Sequence, residues 1–418
     1  MLLINNKFSY PSYIIYSYLT ILINIFLGFF LIPIILENDG MEGLGIFGIL
    51  FALKSIFDIL VSGTSSGFVK NLIKYKYLRN TIFTYSIGFH LFYGFVCFLF
   101  TCIYGKYFFF DYLIVFIYFG IYILINFLTN SFYEVFLSIK IQHIVSMFRF
   151  FSQLFFLLAI FLLYYTKQSL SLENIFFSLF LITLLLFFIV VVYFSRYTFI
   201  PLMYRKINFS LLKKITFRDA KKYLIHTLSI SFLFHLDVLL IDYFYGEKSA
   251  GIYLIIFKIP NTLIVMGFRL SEPFRIIVAD KIKKRKSLEL KDDFIKLELK
   301  ILFFSIICSL LYFILGEFVL NLWLNEKNVP EIEYMYLISS IVIILSIMQE
   351  FYTSVNFYTK KLEIVIIYNF IQLLFKVCAI FVLFNVFNEL SPLTGWAFSL
   401  SLLIYFYRKN SLRVIYEN

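Results

Sequence analysis

Long runs of apolar residues, separated by short polar turns, dominate the chain. Most runs approach or exceed about 20 residues, the length of α-helix that crosses the hydrocarbon core of a bilayer. Strands of a membrane barrel would instead alternate apolar and polar positions over about ten residues. The pattern therefore predicts an all-α polytopic membrane protein with about twelve transmembrane helices. The predicted spans lie near 14–36, 44–69, 81–104, 108–131, 144–165, 172–195, 222–244, 251–279, 300–322, 333–356, 363–386 and 392–407.

The composition supports this class and limits the functions that the chain can perform. Charged residues make up 15% of the chain and hydrophobic residues 61%, with a mean hydropathy of +0.89, whereas soluble domains carry about 25% charged residues. No polar stretch is long enough to form a catalytic domain outside the membrane, so we expect no enzyme. We also expect no metal site, because the cysteines lie in apolar runs without a CxxC spacing. They are Cys97, Cys102, Cys308 and Cys378.

Positive charge in the turns predicts the orientation of the chain. Alternate turns together carry 27 Lys and Arg residues, and the turns between them carry four. Since cytoplasmic loops are enriched in Lys and Arg, both termini are predicted to lie in the cytoplasm. The net charge of +12 is thus explained by orientation and by contact with anionic membrane lipids, and we expect no nucleic-acid partner. The four cations on the outer side are Lys106, Lys167, Lys248 and Lys327.

The chain divides near its midpoint into two halves with six predicted spans each. We predict an N-terminal six-helix lobe over 1–205 and a C-terminal six-helix lobe over 206–418, around a central cavity. Gly45-Ile46-Phe47 and Gly251-Ile252-Tyr253 match at an offset of 206 residues. Because both halves have six spans and the same orientation, they are predicted to be parallel repeats.

Four cations lie deep within predicted spans, where each costs about 2.5–3.5 kcal/mol on insertion scales. We predict that they line an aqueous cavity between the lobes, and a buried ion pair is the alternative for each. Asp58 follows Lys54 by one helical turn, so a local salt bridge between these two residues is one such alternative. The four cations are Lys54, Lys258, Arg269 and Lys376.

Three acidic residues within spans are candidates for ion pairing or for binding a coupling ion. Asp58 is the neighbour of Lys54, Glu272 lies between two arginines, and Asp237 lies deep in the seventh span. A carboxylate inside a membrane can carry a proton, and the sequence leaves open whether a proton or a sodium gradient drives the protein. We expect no bound cofactor. Three histidines lie at scattered positions within spans, and each is predicted to be an isolated polar residue. They are His90, His226 and His235.

The passage around the seventh and eighth spans resembles a known family. It combines Asp237 within span seven, a turn at Gly246, and Gly251-Ile252-Tyr253 at the start of span eight. In this pattern the chain is similar to bacterial polysaccharide flippases of the O-antigen type. These belong to the multidrug/oligosaccharidyl-lipid/polysaccharide exporter superfamily. The resemblance extends over the whole chain, because its length, its number of spans, its orientation and its division into two halves all agree with this family.

The resemblance implies a function and partners. It implies that the chain flips an undecaprenyl-diphosphate-linked oligosaccharide from the cytoplasmic to the periplasmic leaflet of a bacterial inner membrane, by alternating access. This step would serve synthesis of a polysaccharide such as lipopolysaccharide, beside a polysaccharide polymerase and chain-length machinery. The deep cations would then bind the diphosphate through charge-assisted hydrogen bonds.

Three other functions compete with this one. A drug/cation antiporter of the same superfamily would need an acidic cavity, whereas deep cations outnumber deep anions in this chain. A peptidoglycan-precursor flippase is chemically close, but additional C-terminal spans would be expected. A membrane polymerase or glycosyltransferase would need a large external loop, and the predicted outer loops are short.

Overall fold

The computed structural model describes residues 9–139, 141–166, 170–197, 209–283, 287–324, 332, 334–356 and 362–417. Eleven α-helices form within these residues, and short 3-10 turns join several of them. They are α1 (Ser9–Lys74), α2 (Arg79–Phe108), α3 (Leu113–Ser138), α4 (Gln142–Tyr165), α5 (Leu172–Tyr197), α6 (Phe209–Tyr245), α7 (Glu247–Lys283), α8 (Ser287–Leu324), α9 (Met335–Asn356), α10 (Leu362–Phe387) and α11 (Ser391–Glu417).

Two glycines in the left-handed region of the backbone mark breaks in the helical path. Gly40 has φ 70° and interrupts α1, and Gly246 has φ 83° and separates α6 from α7. Glycine adopts such angles at little cost because it lacks a β-carbon. The two positions are 206 residues apart, the same offset as the Gly45 and Gly251 motifs. The internal repeat therefore includes these breaks as well as the sequence motif.

The number of membrane crossings agrees with the prediction. Ten helical stretches of the described residues are long and apolar enough to span a membrane, and those over 15–74 and 363–416 contain 60 and 54 residues. Each of these is more than twice the length that one crossing needs. Gly40 divides the first of these stretches and the 3-10 turn Asn388–Leu390 divides the other. The ten stretches then provide the twelve predicted spans. The all-α polytopic fold class is confirmed.

Several helices continue beyond the predicted span ends, and two of these differences affect the repeat and the site. The first outer loop, predicted over 37–43, is reduced to the single non-helical residue Gly40. The fourth span, predicted to end near 131, continues as α3 to Ser138. Near the predicted end, the Thr129 hydroxyl donates a hydrogen bond to the Ile125 carbonyl at 2.8 Å. This bond within the helix satisfies the side chain without interrupting the helix.

The helices form two compact units. The first contains the residues up to Gly40 and Leu53–Leu224, and the second contains Met41–Ala52 and Ile225–Asn418. The predicted boundary between the lobes, 205/206, lies outside the described residues. Aromatic rings from α1 to α5 fill the core of the first unit. One cluster of buried residues in this unit comprises Phe68, Leu72, Ile82, Phe83, Tyr133, Val135, Phe136, Ile144, Val145, Phe148, Val190 and Phe194.

Hydrogen bonds between buried or partly buried side chains join α9, α10 and α11 in the second unit. The Tyr407 hydroxyl donates to Asn369 at 2.6 Å, and the Gln349 amide donates to Gln372 at 2.7 Å. A third bond, from the Asn410 amide to Asn356, measures 2.9 Å. Lipid offers no competing partners, so such bonds stabilise helix association in a membrane.

The segment Met41–Ala52 of α1 packs against the start of α7 within the second unit, through the two repeated glycines. A β-carbon on Gly45 would lie 1.9 Å from the Glu247 carbonyl oxygen, and one on Gly251 would lie 2.3 Å from the Met41 carbonyl oxygen. Both distances are far below van der Waals contact. The residues that repeat in sequence are therefore also those that allow the two helices to touch.

We predict that Gly45→Ala and Gly251→Ala each destabilise the protein by about 1–3 kcal/mol, because an added methyl group must push two backbones apart. Thermal unfolding of the purified protein in detergent would measure the loss. Gly88→Ala is the matched control, since a β-carbon there meets no atom within 4 Å. Equal effects at all three positions would contradict the assigned packing role.

Candidate functional site

Lys54 and Asp58 form an ion pair on α1 in the first unit. The Lys54 ammonium donates a hydrogen bond to the Asp58 carboxylate, one helical turn away. The Tyr122 hydroxyl of α3 lies beside the same ammonium, and Arg149 of α4 is near enough to act on it electrostatically. Lys54 therefore has the local partner that the sequence offered as an alternative. Its side chain nevertheless stays 23% exposed.

Lys376 and Asp237 form a second ion pair, which is fully buried in the second unit. The Lys376 ammonium lies 2.6 Å from the Asp237 carboxylate, and the Tyr253 hydroxyl donates to the same carboxylate at 2.6 Å. Lys376 also donates to the Leu233 carbonyl and lies 4.2 Å from the centre of the Trp396 ring. These contacts join α6, α7, α10 and α11.

The surroundings of this pair favour a structural role for both residues. Each of them is at most 1% exposed, and the Lys376 ammonium already has a carboxylate, a carbonyl and an aromatic face as partners. Buried charges are tolerated when they are paired and hydrogen-bonded in this way. We therefore leave Lys376 out of the substrate site, although the sequence predicted that it lines a cavity.

Lys258 lies in the middle of the candidate membrane span Glu247–Phe268 of α7 and differs from the other two lysines. Its side chain is half-buried. Within the part of the chain whose side chains are described, no carboxylate lies at ion-pair distance from its ammonium. A cation held in an apolar helix without a carboxylate is suited to bind an anion that arrives from outside the protein. The remaining predicted site residues, Arg269 and Glu272, lie outside the residues whose side chains the structure describes.

A further buried pair, His90 of α2 and Glu134 of α3, was not expected from the sequence. The Nε2 atom of His90 lies 3.4 Å from Oε1 of Glu134, and both side chains are at most 1% exposed. His90 was interpreted as an isolated polar residue because the histidines are scattered along the spans, and the fourth span was predicted to end near 131, before Glu134. The extension of α3 to Ser138 brings Glu134 into the helix. Continuing the helix through Thr129 would have found the pair.

The predicted site residues thus fall into separate clusters. Lys54 and Asp58 belong to the first unit, together with the unexpected pair His90–Glu134. Lys258 and the pair Lys376–Asp237 belong to the second. Among the described residues, no group of three or more His, Cys, Asp or Glu side chains could hold a metal ion.

Comparison with known proteins identifies the fold. No protein-family model matches the chain, and no curated protein does. Solved structures do match. An inward-facing multidrug resistance MATE family transporter of the MOP superfamily has a TM-score of 0.73 at 12% identity, with 94% of both chains covered. An outward-facing structure of such a transporter has a TM-score of 0.65 at 12% identity, covering 97% of this chain and 96% of that one.

A third solved structure differs in the description of its pocket. It is a MOP superfamily transporter from Pyrococcus furiosus described as having a binding pocket of reversed polarity that suggests a different function. Its TM-score is 0.65 at 11% identity, covering 96% of this chain and 95% of that one. At these identities the comparisons establish the fold, which is that of the MOP superfamily transporters.

We predict that Lys376→Ala destabilises the protein by about 3–5 kcal/mol, because it leaves the Asp237 carboxylate buried without its cation. The double substitution of Lys376→Met with Asp237→Asn should recover most of the loss, since it removes both charges. Thermal unfolding in detergent measures each variant, with the exposed Lys248→Ala as control. If Lys376→Ala unfolds at the same temperature as the unsubstituted protein, the structural role is wrong.

Proposed function

We propose that the protein flips a diphosphate-linked lipid oligosaccharide across a bacterial inner membrane by alternating access, with a cationic site that includes Lys258. The substrate's diphosphate carries the negative charge, and its polyprenyl tail stays in the bilayer. The head group moves from the cytoplasmic to the periplasmic leaflet. In this proposal the chain is a transporter and not an enzyme, and both of its termini are cytoplasmic.

The fold supports transport. The solved structures that share it include inward-facing and outward-facing transporters, and alternating access needs both arrangements. The transporter with reversed pocket polarity indicates that this fold accepts pockets of different charge. The charge of the residues in this chain therefore decides between substrate classes.

Lys258 is the observation that carries the proposal. Its ammonium offers three donors on an apolar helix, and no described carboxylate lies at ion-pair distance from them. A diphosphate supplies acceptor oxygens with full negative charge, which form short and strong hydrogen bonds with an ammonium. An incoming phosphate would thus offset the cost of keeping this cation within the membrane.

The described part of the first unit contains two cations of a different kind. Lys54 is already paired with Asp58, so it would have to exchange a carboxylate for a phosphate oxygen. Arg149 of α4 is exposed and lies 5.7 Å from the centre of the Tyr133 ring. No described carboxylate lies at ion-pair distance from it. Arg149 is therefore a better partner for the anion in this unit than Lys54, and it was not among the predicted site residues.

Export of cationic drugs is the second candidate, because the solved structures of this fold include multidrug resistance transporters. A cationic drug would need a carboxylate that is free to bind it. Asp58 and Asp237, the two predicted acidic site residues that the structure describes, already have lysine partners. This arrangement favours an anionic substrate.

We predict that Lys258→Ala lowers the rate of flipping about tenfold or more, since a hydrogen bond to a charged group contributes about 1.5–3 kcal/mol. The measurement uses proteoliposomes with a fluorescent oligosaccharide linked to undecaprenyl diphosphate, and counts the label that reaches the opposite leaflet. Lys258→Arg keeps the charge and should retain most of the rate.

Two further variants complete this test. Lys248→Ala, at an exposed position of the same helix, should leave the rate unchanged. Arg149→Ala should slow flipping if the first unit also contacts the diphosphate. If Lys258→Ala flips the lipid at the unsubstituted rate, or if the protein moves a cationic fluorescent dye and not the lipid, the proposal fails.

A further inference from the structure

The pair His90–Glu134 lies at the centre of a buried polar cluster in the first unit. Helix α2 contributes Ser86 and His90, and α3 contributes Ser131 and Glu134. All four side chains are at most 1% exposed. Neither the cationic site of the proposed function nor the core packing requires a carboxylate and an imidazole here, where apolar residues surround them.

Hydrogen bonds on one side of the imidazole fix which nitrogen carries the hydrogen. The Nδ1 atom of His90 lies 2.8 Å from the main-chain carbonyl oxygen of Ser86. A carbonyl oxygen can only accept, so Nδ1 must donate. The Ser131 hydroxyl lies 3.1 Å from the same nitrogen and can accept from it as well. In the neutral ring, Nε2 is therefore a lone-pair acceptor.

This acceptor faces the carboxylate. Nε2 is 3.4 Å from Oε1 of Glu134, and neither atom has a hydrogen-bond partner within the described residues. The other carboxylate oxygen, Oε2, accepts a hydrogen bond from the Ser86 hydroxyl. Without a further proton, two acceptors would point at each other, and a carboxylate charge would be buried without a cation. A single proton removes both problems.

We propose that His90 and Glu134 together bind one exchangeable proton, and that its release and uptake are part of the transport cycle. With the proton, the pair is neutral overall, either as a carboxylic acid donating to Nε2 or as an imidazolium donating to the carboxylate. Without it, the cluster carries one negative charge that burial strongly disfavours. Only the second half of this proposal rests on the proposed function.

The groups around the pair are uncharged in the described part of the first unit. Helix α1 places the Ser65 hydroxyl near Glu134, without a hydrogen bond between them, and the Phe68 ring near His90, at 6.0 Å between ring centres. Phe89 of α2 lies 5.6 Å from His90 by the same measure.

The two other helices that pack on α3 keep their charged groups apart from the pair. Arg149 of α4 contacts the Tyr133 ring, and His143 of α4 makes no ion pair with Glu134 among the described residues. Helix α5 has charged residues only near its ends, at Glu173 and Arg196. No neighbouring cation of the described residues therefore replaces the proton.

The first experiment measures the protonation state of His90 directly. The chain, labelled with 15N-histidine and reconstituted in lipid, contains four histidines, and His90→Gln identifies the signal of His90. We expect Nδ1 to stay protonated throughout, and the Nε2 signal to shift in a single titration. In Glu134→Gln the amide donates permanently to Nε2, so this titration should disappear.

Two measurements separate proton binding from a purely structural role. A jump to high pH should release one proton fewer from Glu134→Gln than from the unsubstituted protein. Infrared difference spectra should lose the corresponding carboxyl or carboxylate band. His143→Gln, which removes a histidine outside the pair, should change neither result. Unchanged proton release and an unchanged His90 titration in Glu134→Gln would overturn the proton site.

The link to transport is tested separately, in proteoliposomes with an imposed pH gradient and the same fluorescent lipid. Flipping by the unsubstituted protein should depend on the gradient, and flipping by Glu134→Gln should not. If Glu134→Gln keeps the full gradient dependence, the coupling role fails while the proton site stands. If no variant flips the lipid, the proposed function fails, and the histidine titration still decides the proton site.

Discussion

The free-energy cost of a charge in an apolar environment governs the organisation of both units. Each ionised side chain within the helices needs a partner, and the structure provides three kinds. Asp237 and Lys376 pair with each other and add a phenol, a carbonyl and an aromatic face. Lys54 pairs with Asp58 on its own helix. His90 and Glu134 resolve the same problem if they share a proton. Lys258 has no described partner, and this difference makes it the centre of the proposed substrate site.

The kind of partner that a charged residue has determines what that residue can do. A pair as enclosed as Asp237–Lys376 holds four helices together, and opening it would expose two charges to an apolar interior. A partly exposed ion pair such as Lys54–Asp58 opens at a lower free-energy cost, so each residue can exchange its partner more easily. In the proposed function, the Lys258 ammonium on α7 gains a charged partner only when an anionic substrate arrives. Helix anchoring and anion binding thus follow from the same electrostatic principle applied to different surroundings.

The internal repeat has a consequence for packing that its weak sequence signal did not suggest. The left-handed glycines Gly40 and Gly246 break the helices at equivalent points, and Gly45 and Gly251 follow each of them by five residues. In the second unit, these latter glycines bring the start of α7 against the Met41–Ala52 segment of α1. A duplicated turn has therefore become a contact between its two copies.

The sequence by itself determined the membrane class, the approximate spans and the presence of charges inside them. Run length and hydropathy are local properties, and the bilayer thickness converts them into helices. The sequence also named Asp58 as a partner for Lys54, because residues one turn apart share a helix face. The pairs Asp237–Lys376 and His90–Glu134 join residues 139 and 44 positions apart. Only tertiary packing decides which helices lie side by side, so only the structure could separate a charge that is paired within the protein from one without a described ion-pair partner.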